Sequence, residues 1–359
     1  MTDATRKPRP RRTFSAFGDV RKMPSEYEIM THAQNWTTRA GRTAAFEQNP
    51  SSPPNLWFLT YRDNSPLRSQ DWEQFRDPDA LTYRSYVTLQ SDAETHAAGV
   101  LEQYAEAGAD AALRPGQLAL LGALYTPSRY LVHGCQQIQA YIGYMAPTSY
   151  VTNACGFATA DFLRRVTLTA YRTRELQLAH PGSDIGDRER RIWEDEPAWQ
   201  PAREAIERAL VAYDWGEAFT ALDLVLAPTL DDVLVRQFAE VSRANGDEQS
   251  WLLGRSIQAD NDRRDRWVGA LVQFCLRQCP ENVTPLRKWI AKWSPLADAA
   301  ALGLGQLLER LPEQGRSAVE VAEQARTARD AFHARLFAEP GTSSEPPQES
   351  TSDGLRAVR

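Results

Sequence analysis

Apolar residues recur at helical spacing through most of the chain between about residues 90 and 336. Segments 90–109 and 117–145 form a first predicted pair of helices. The second of them is apolar on almost every side, as expected for a central helix that is surrounded by others. Further helices are predicted over 149–178, 200–226 and about 229–244. The period-two alternation of strands is nearly absent, so the pattern predicts an all-α protein.

Capping residues and prolines predict where several helices begin and end. Ser149 is placed to cap the third helix, and Pro228 is expected to interrupt the fourth. Asn245-Gly246-Asp247 is typical of a helix end followed at once by a new N-cap. Thr284-Pro285 and Ser294-Pro295 each set a cap residue before a proline, which predicts two shorter helices there.

Composition divides the chain into four parts. Residues 1–20 form a basic arm, interrupted by prolines and followed by two phenylalanines, that we expect either to lie extended over a partner or to form a disordered tail. Residues 21–89 are rich in aromatic residues and should pack, in irregular backbone, on a partner or on the core. Residues 90–336 form the helical domain, and 337–359 have the composition of a disordered tail.

The overall composition excludes several classes of protein. The 359 residues are 42% hydrophobic, which supports a large packed core. There is no apolar run long enough to span a membrane and no signal peptide at the N-terminus, so we expect a cytoplasmic protein. A net charge of −6 argues against binding to nucleic acid.

Four cysteines, Cys135, Cys155, Cys275 and Cys279, all fall inside apolar helical segments. This setting favours reduced thiols in the core over a disulfide framework. Cys275 and Cys279 lie four residues apart on one helix face, a spacing that could hold a soft metal or serve thiol chemistry. An enzyme that uses this thiol pair therefore remains an alternative.

The segment from Ser256 to Arg264 has the sequence pattern of a metal-binding helix in which the ligand residues are replaced. A carboxylate followed one turn later by histidine places two donors on one face, as in the Glu-x-x-His half-sites of di-iron helix bundles. Here those two positions hold Asn261 and Arg264. An amide is a poor ligand for a ferric ion, and a guanidinium has no lone pair to donate. We therefore predict that this chain contains no metal, cofactor-binding or catalytic residues.

The five histidines give little support to a metal site elsewhere. None has a glutamate three residues before it. The nearest arrangement is Asp330-x-x-His333, which lies at the end of the last predicted helix and has no second copy to complete a two-metal site.

Six sequence strings resemble the beta subunit of toluene, alkene and isoprene monooxygenase hydroxylases. They are Tyr61–Arg68, Phe75–Asp79, Tyr125–Leu131, Thr169–Leu176, Tyr213–Ala221 and Trp289–Asp298. In that family the alpha subunit carries the signature Asp-Glu-x-Arg-His on two helices. The second copy resembles Asp260-Asn261-Asp262-Arg263-Arg264, which keeps the Asp and the first Arg but loses both ligands. The first copy is expected near Val132 and Cys135.

The resemblance implies a ferritin-like (ribonucleotide-reductase-like) bundle and a supporting role in an oxygenase. The hydroxylase would contain two copies each of alpha, beta and gamma subunits, with the di-iron centre in alpha. This chain would be the non-catalytic beta subunit, inactive alone and in contact with alpha, gamma and a second beta. The complete system would oxidise a small aromatic, alkene or isoprene hydrocarbon with O2. Electrons would come from NADH through a reductase and a Rieske ferredoxin, and an effector protein would assist.

Losing a metal from the centre of a bundle leaves a space that other groups must fill. Arg264 would need a carboxylate if it faced inward, and Asp260 is within reach at the i, i+4 spacing. We expect an ion pair or a hydrogen-bond cluster there, and the alternative is an Arg264 that points to solvent. A different class of protein also stays open, namely a stand-alone helical protein that binds a ligand in an apolar cavity.

Overall fold

The computed structural model describes residues 24–32, 53–311 and 315–338. The predicted basic arm and the tail beyond Ala338 lie outside these residues. The all-α prediction is confirmed, since the described residues contain no strand. The helices are α1 (Glu26–Thr31), α2 (Pro53–Phe58), α3 (Tyr83–Glu106), α4 (Pro115–Leu120), α5 (Ser128–Met145), α6 (Ser149–Ala179), α7 (Glu189–Asp195), α8 (Gln200–Ala209), α9 (Trp215–Phe219), α10 (Ala227–Asp231), α11 (Phe238–Ala244), α12 (Glu248–Gln278), α13 (Val283–Glu309) and α14 (Ala318–Leu336).

Two helices begin elsewhere than the sequence pattern predicts, because a neighbouring residue supplies the cap. Helix α3 starts at Tyr83, seven residues before the predicted position, since the Thr82 hydroxyl accepts a hydrogen bond from the Ser85 amide. The N-cap of α6 is Thr148 and not Ser149. The Ser149 hydroxyl instead donates to the carbonyl oxygen of Thr31 and so attaches α1 to the start of α6.

The predicted break at Pro228 is wrong. A π-helical turn (Thr220–Leu226) connects α9 to α10, and a second (Asp232–Gln237) connects α10 to α11. Pro228 has no amide proton for the carbonyl of Leu224, four residues earlier. The His333 imidazole fills that vacant position, with Nε2 lying 2.7 Å from the Leu224 oxygen. The π-helical turns and this side-chain contact together keep the helix continuous through the proline.

The two short helices predicted after Thr284 are in fact one. Helix α13 runs through Pro295 without a break. It packs along α8 and α14, and its buried face includes Trp289, Trp293 and Leu304. This burial along the whole helix outweighs the local cost of a proline, which is about 3 kcal/mol.

The core surrounds α5, whose residues Ile138, Ile142 and Met145 are fully buried against α6 and the neighbouring helices. Aromatic residues from the described part of 21–89 join the same core. Trp72 contacts Trp215 edge to face, with 5.2 Å between ring centroids, and Phe75 is 1% exposed. These rings pack on the chain's own helices. Among the described helices, none is both long enough and apolar enough to cross a lipid bilayer.

Candidate functional site

The centre of the bundle, where α5, α6, α10 and α12 meet, is charged. Asn261 and Arg264 project into it from α12 and are only 7% and 4% exposed. The alternative of a solvent-facing Arg264 is therefore excluded. A guanidinium in this position requires negative partners, because an unpaired buried charge is very costly.

The carboxylate of Asp231 on α10 binds two arginines, one with each oxygen. Arg165 Nη1 on α6 donates to Oδ1 at 2.6 Å, and Arg264 Nη1 on α12 donates to Oδ2 at 2.7 Å. All three side chains are less than 10% exposed. We call this group the Asp231 clamp. It ties three helices together through charge-assisted hydrogen bonds, which are shorter and stronger than neutral ones.

Arg264 has a second partner in Asp265, whose Oδ1 lies 3.0 Å from Nη2. Burial by itself would lower the pKa of Arg264, but the negative charges of Asp231, Asp265 and Asp223 outweigh it and raise the pKa. Arg264 therefore stays charged. The expected pairing with Asp260 is wrong, because Asp260 points toward α6 while Arg264 points toward α10.

Asp260 takes part in a second cluster, in which α6 and α12 exchange partners. Arg164 on α6 donates to Asp260 at 2.7 Å, and Arg263 on α12 donates to Asp161 on α6 at the same distance. We call Asp161, Arg164, Asp260 and Arg263 the crossed quartet. Its two carboxylates and two guanidiniums balance in charge, which is what allows them to be buried together.

The crossed quartet reveals a second copy of the degenerate motif. Asp161-Phe162-Leu163-Arg164-Arg165 has the same order as Asp260-Asn261-Asp262-Arg263-Arg264. In each copy the Asp and the first Arg enter the quartet, and the last Arg enters the Asp231 clamp. The first copy therefore lies on α6, and the expectation near Val132 and Cys135 is wrong. The repeated Asp-x-x-Arg-Arg spacing was the signal in the sequence that could have identified it.

Helix α5 nevertheless borders this site. Val132 and Cys135 are both buried. Burial raises the pKa of the Cys135 thiol to about 12. The negative charge of Asp231 also raises this pKa, whereas the positive charges of Arg165 and Arg264 lower it. Cys135 is therefore a neutral thiol that packs beside the clamp.

The residues present do not fit a di-iron centre. Guanidiniums occupy both positions that the motif assigns to histidine, and Phe162 and Asn261 occupy the two glutamate positions. The cavity between the two motif copies measures about 10 Å³, which is room for one water molecule at most. In the described part of the chain, no three His, Cys, Asp or Glu side chains are grouped to hold a metal.

The remaining candidate residues have structural partners. His333 Nε2 contacts the Leu224 carbonyl, and Asp330 lies beside Arg329, with 3.6 Å between the charged atoms. Burial raises the pKa of the Cys275 thiol, which disfavours the reactive thiolate. The amide of Cys279 closes α12 by donating to the Cys275 carbonyl.

Asp223 is a buried acid that sequence reasoning missed. It lies in the first π-helical turn with no exposed surface, and neither carboxylate oxygen has a hydrogen-bond partner among the described residues. Burial raises the pKa of Asp223 to about 7, although the positive charge of Arg264 and the neighbouring Gln139 amide both lower it. Gln139 lies close to Asp223, but its own polar atoms are not in hydrogen-bonding geometry.

A helical bundle with two facing copies of a degenerate di-iron motif at its centre is typical of the ferritin-like class of proteins. The sequence profile of the Methane/Phenol/Alkene Hydroxylase family matches residues 57–279. The chain belongs to this family.

Known relatives support the same assignment. The toluene-4-monooxygenase hydroxylase subunit beta of Ectopseudomonas mendocina is 41% identical over 293 residues, which cover 82% of this chain and 89% of that protein. An oxygenase component of phenol 2-monooxygenase from Pseudomonas sp. (strain CF600) is 26% identical and covers 67% of this chain and 72% of its own length.

A solved structure of toluene 4-monooxygenase, with toluene in the resting active site, superposes with a TM-score of 0.79 at 39% identity. The match covers 84% of this chain and 99% of the compared chain. These comparisons confirm the resemblance to hydroxylase beta subunits and the ferritin-like fold.

Proposed function

We propose that this chain is the non-catalytic beta subunit of a di-iron hydrocarbon monooxygenase, and that it works in the cytoplasm. It assembles with alpha and gamma subunits and with a second beta copy, and the di-iron centre belongs to alpha. The complete system oxidises a small aromatic, alkene or isoprene hydrocarbon. This chain supplies structure to the enzyme, and its partner supplies the reactive centre.

The Asp231 clamp is the observation that carries the proposal. Arg165 and Arg264 occupy the two positions where the motif requires histidine, and they share one carboxylate. Two permanent positive charges repel a ferric ion, while the clamp joins helices that ligand bonds to iron would otherwise join. Ion pairs thus hold the helices together at the centre of the bundle.

The alternatives receive less support. An enzyme based on Cys275 and Cys279 would need a thiolate, whereas burial raises the pKa of Cys275. A stand-alone ligand-binding protein would need an enclosed apolar cavity, but the groove between α3 and α6, about 820 Å³, opens to the surface.

The test is to tag this chain in its native host, purify it gently, and determine the native mass and iron content of what accompanies it. We expect two copies each of three different chains, with iron bound. The same chain produced alone in iron-supplemented cells serves as the control and should contain no iron. A bare monomer from the native host would refute the subunit assignment, and iron retained by the isolated chain would refute its non-catalytic role.

A further inference from the structure

A small cavity lies where α6, α12 and the second π-helical turn meet the start of α5. It has a volume of about 30 Å³, which is room for about two water molecules or one small ion. Leu168 lines both this cavity and the surface groove between α3 and α6, so its side chain forms part of the wall between them. Movement of that one side chain would give a small solute from the groove access to the cavity.

Arg165 reaches the cavity from α6 with most of its hydrogen-bonding capacity unused. A guanidinium carries five N–H groups, but among the described residues Arg165 donates only to Asp231, at 2.6 Å. Arg165 is 7% exposed, and it lines the cavity. It also shares Asp231 with Arg264, which has Asp265 as a further partner. Within the described part of the chain, Arg165 therefore has no carboxylate of its own.

The wall of the cavity carries a positive charge. Arg165 is the one charged side chain among the described residues that line it. Asp247 is a nearby acid, but it does not line the cavity. Its two oxygens accept hydrogen bonds from the Gln117 side chain and the Ser250 amide, both at 2.9 Å. No carboxylate in the described wall thus opposes a negatively charged ligand.

Hydroxyl groups complete the polar part of the wall. Ser128 and Thr169 already donate to backbone carbonyl oxygens, at 2.6 Å and 2.9 Å. Ser250 is buried, and its hydroxyl donates to none of the described residues. Burial raises the pKa of Tyr125, although nearby arginines and Thr169 lower it, so the phenol keeps its proton and can donate. Two hydroxyl donors therefore accompany the guanidinium.

The rest of the wall is apolar and includes Phe238, Leu253 and Ile257. Such walls lower the local dielectric constant, which strengthens the attraction between a guanidinium and an anion. Water could accept the hydrogen bonds, but it would not supply a counter-charge. A multivalent anion would lose too much hydration energy in a cavity of this kind, so a weakly hydrated monovalent anion is favoured.

We propose that this cavity binds one small monovalent anion of about chloride size, held by the guanidinium of Arg165 and the hydroxyl groups of Tyr125 and Ser250. The anion gives Arg165 a counter-ion that it does not share with Arg264. It thereby links the stability of the Asp231 clamp to the anion concentration. This site is a property of the chain itself and does not depend on the proposed function.

The test follows thermal unfolding of the full chain while sodium bromide replaces sodium gluconate at constant sodium concentration. Bromide is a close analogue of chloride, whereas gluconate is too large for a cavity of about 30 Å³. A ligand that binds only the folded chain multiplies the folded-to-unfolded ratio by 1 + [L]/Kd, which is about elevenfold at ten times the Kd. We expect the thermal midpoint to rise with bromide in this single-site manner.

Two conservative variants test the donors while leaving Arg165 and Asp231 in place. Ser250→Ala and Tyr125→Phe should each raise the Kd for bromide about tenfold, because each loses a hydrogen bond to a charged group. The matched controls are Ser91→Ala and Tyr83→Phe, which make the same changes at exposed positions of α3 and should keep the original Kd. Circular dichroism at 222 nm checks that each variant is folded.

Crystals grown in sodium bromide locate the ion directly by its anomalous scattering. A bromide peak beside the Arg165 guanidinium, together with the rise of the midpoint, is the expected result, and it decides the matter if a variant does not fold. Three results overturn the proposal. The cavity holds only water in bromide, or a peak appears without stabilisation in solution and so reflects binding at crystal concentration only, or all variants and controls respond to bromide alike, as in a general salt effect.

Discussion

The Asp231 clamp gives a prediction that separates buried ion pairs from ordinary packing. Asp231→Asn keeps the size and shape of the side chain but removes its charge. Arg165 and Arg264 then share one neutral amide, and Asp265 compensates only Arg264. Breaking a buried pair in this way costs about 3–5 kcal/mol. We expect Asp231→Asn to lower the free energy of unfolding by that amount.

Removing all three charges together should cost far less. The triple variant Arg165→Met, Asp231→Leu, Arg264→Met removes the charges of the clamp and leaves unpaired only Asp265, the second partner of Arg264, whose side chain is 32% exposed to water. Replacing a buried ionic triad with apolar residues of similar volume is neutral or stabilising by about 1–4 kcal/mol in other proteins. The triple variant should therefore be clearly more stable than Asp231→Asn, although it also changes position 231.

Urea unfolding followed by circular dichroism at 222 nm measures both effects. For a chain of this size, 3–5 kcal/mol corresponds to a midpoint shift of roughly 1 M. Asp262→Asn, an exposed change on α12, serves as the control and should stay within about 0.5 kcal/mol of the unmodified chain. The reasoning fails if Asp231→Asn matches the unmodified chain, or if the triple variant is as unstable as the single one.

Three further changes have definite expected outcomes. Burial raises the pKa of Asp223 from 3.8 to about 7, so this residue contributes stability at low pH that is lost as pH rises from about 4 through 7. The full loss is worth roughly 4 kcal/mol, of which about 3 kcal/mol falls between pH 5 and pH 8. Asp223→Asn should remove this part, and urea midpoints at pH 5 and pH 8 that differ as much as in the unmodified chain would contradict the prediction. Burial and the neighbouring Asp260 raise the pKa of Asp161 to about 6, so a smaller dependence of the same sign remains. Gly303→Ala would place a Cβ 2.4 Å from the carbonyl oxygen of Ala198, so the backbone must shift. The thermal midpoint should therefore fall by the equivalent of about 1–3 kcal/mol. In the control variant Gly156→Ala the new Cβ has no neighbouring atom within 4 Å, and the midpoint should not fall. His333→Leu leaves the Leu224 carbonyl without its imidazole partner and should cost about 1–3 kcal/mol in urea unfolding, and an unchanged midpoint would show that the contact is dispensable.

Local patterns predicted several helices well, although the helix predicted over 200–226 is interrupted between Ala209 and Trp215, where the Asp214 side chain caps a new helix. The apolar period placed the central helix through Ile138 and Met145, and Asn245-Gly246-Asp247 marked the junction of α11 and α12. The pattern failed at Pro228 and at Pro295. In the first case the compensating group, His333, lies 109 residues from the carbonyl that it contacts. Sequence rules give the local cost of a proline but not the remote contact that offsets it.

The candidate site was predictable in its composition but not in its pairing. The loss of ligands at Asn261 and Arg264 could be seen in the sequence, and so could the need for a carboxylate. The helical i, i+4 rule selected Asp260, whereas the carboxylate that binds Arg264 comes from α10, 33 residues away. Pairing between helices depends on their packing, which the spacing along one helix does not contain.

The crossed arrangement of the two motif copies also bears on how the chain can evolve. Arg165 and Arg264 share Asp231, and Arg264 also pairs with Asp265. Replacing either arginine alone with a neutral histidine leaves these two carboxylates with one guanidinium before any metal ligand set is complete. Every stepwise route to a metal site at this position therefore passes through less stable intermediates. Such epistasis opposes the gain of a metal site by successive point mutations and favours retention of the ion pairs.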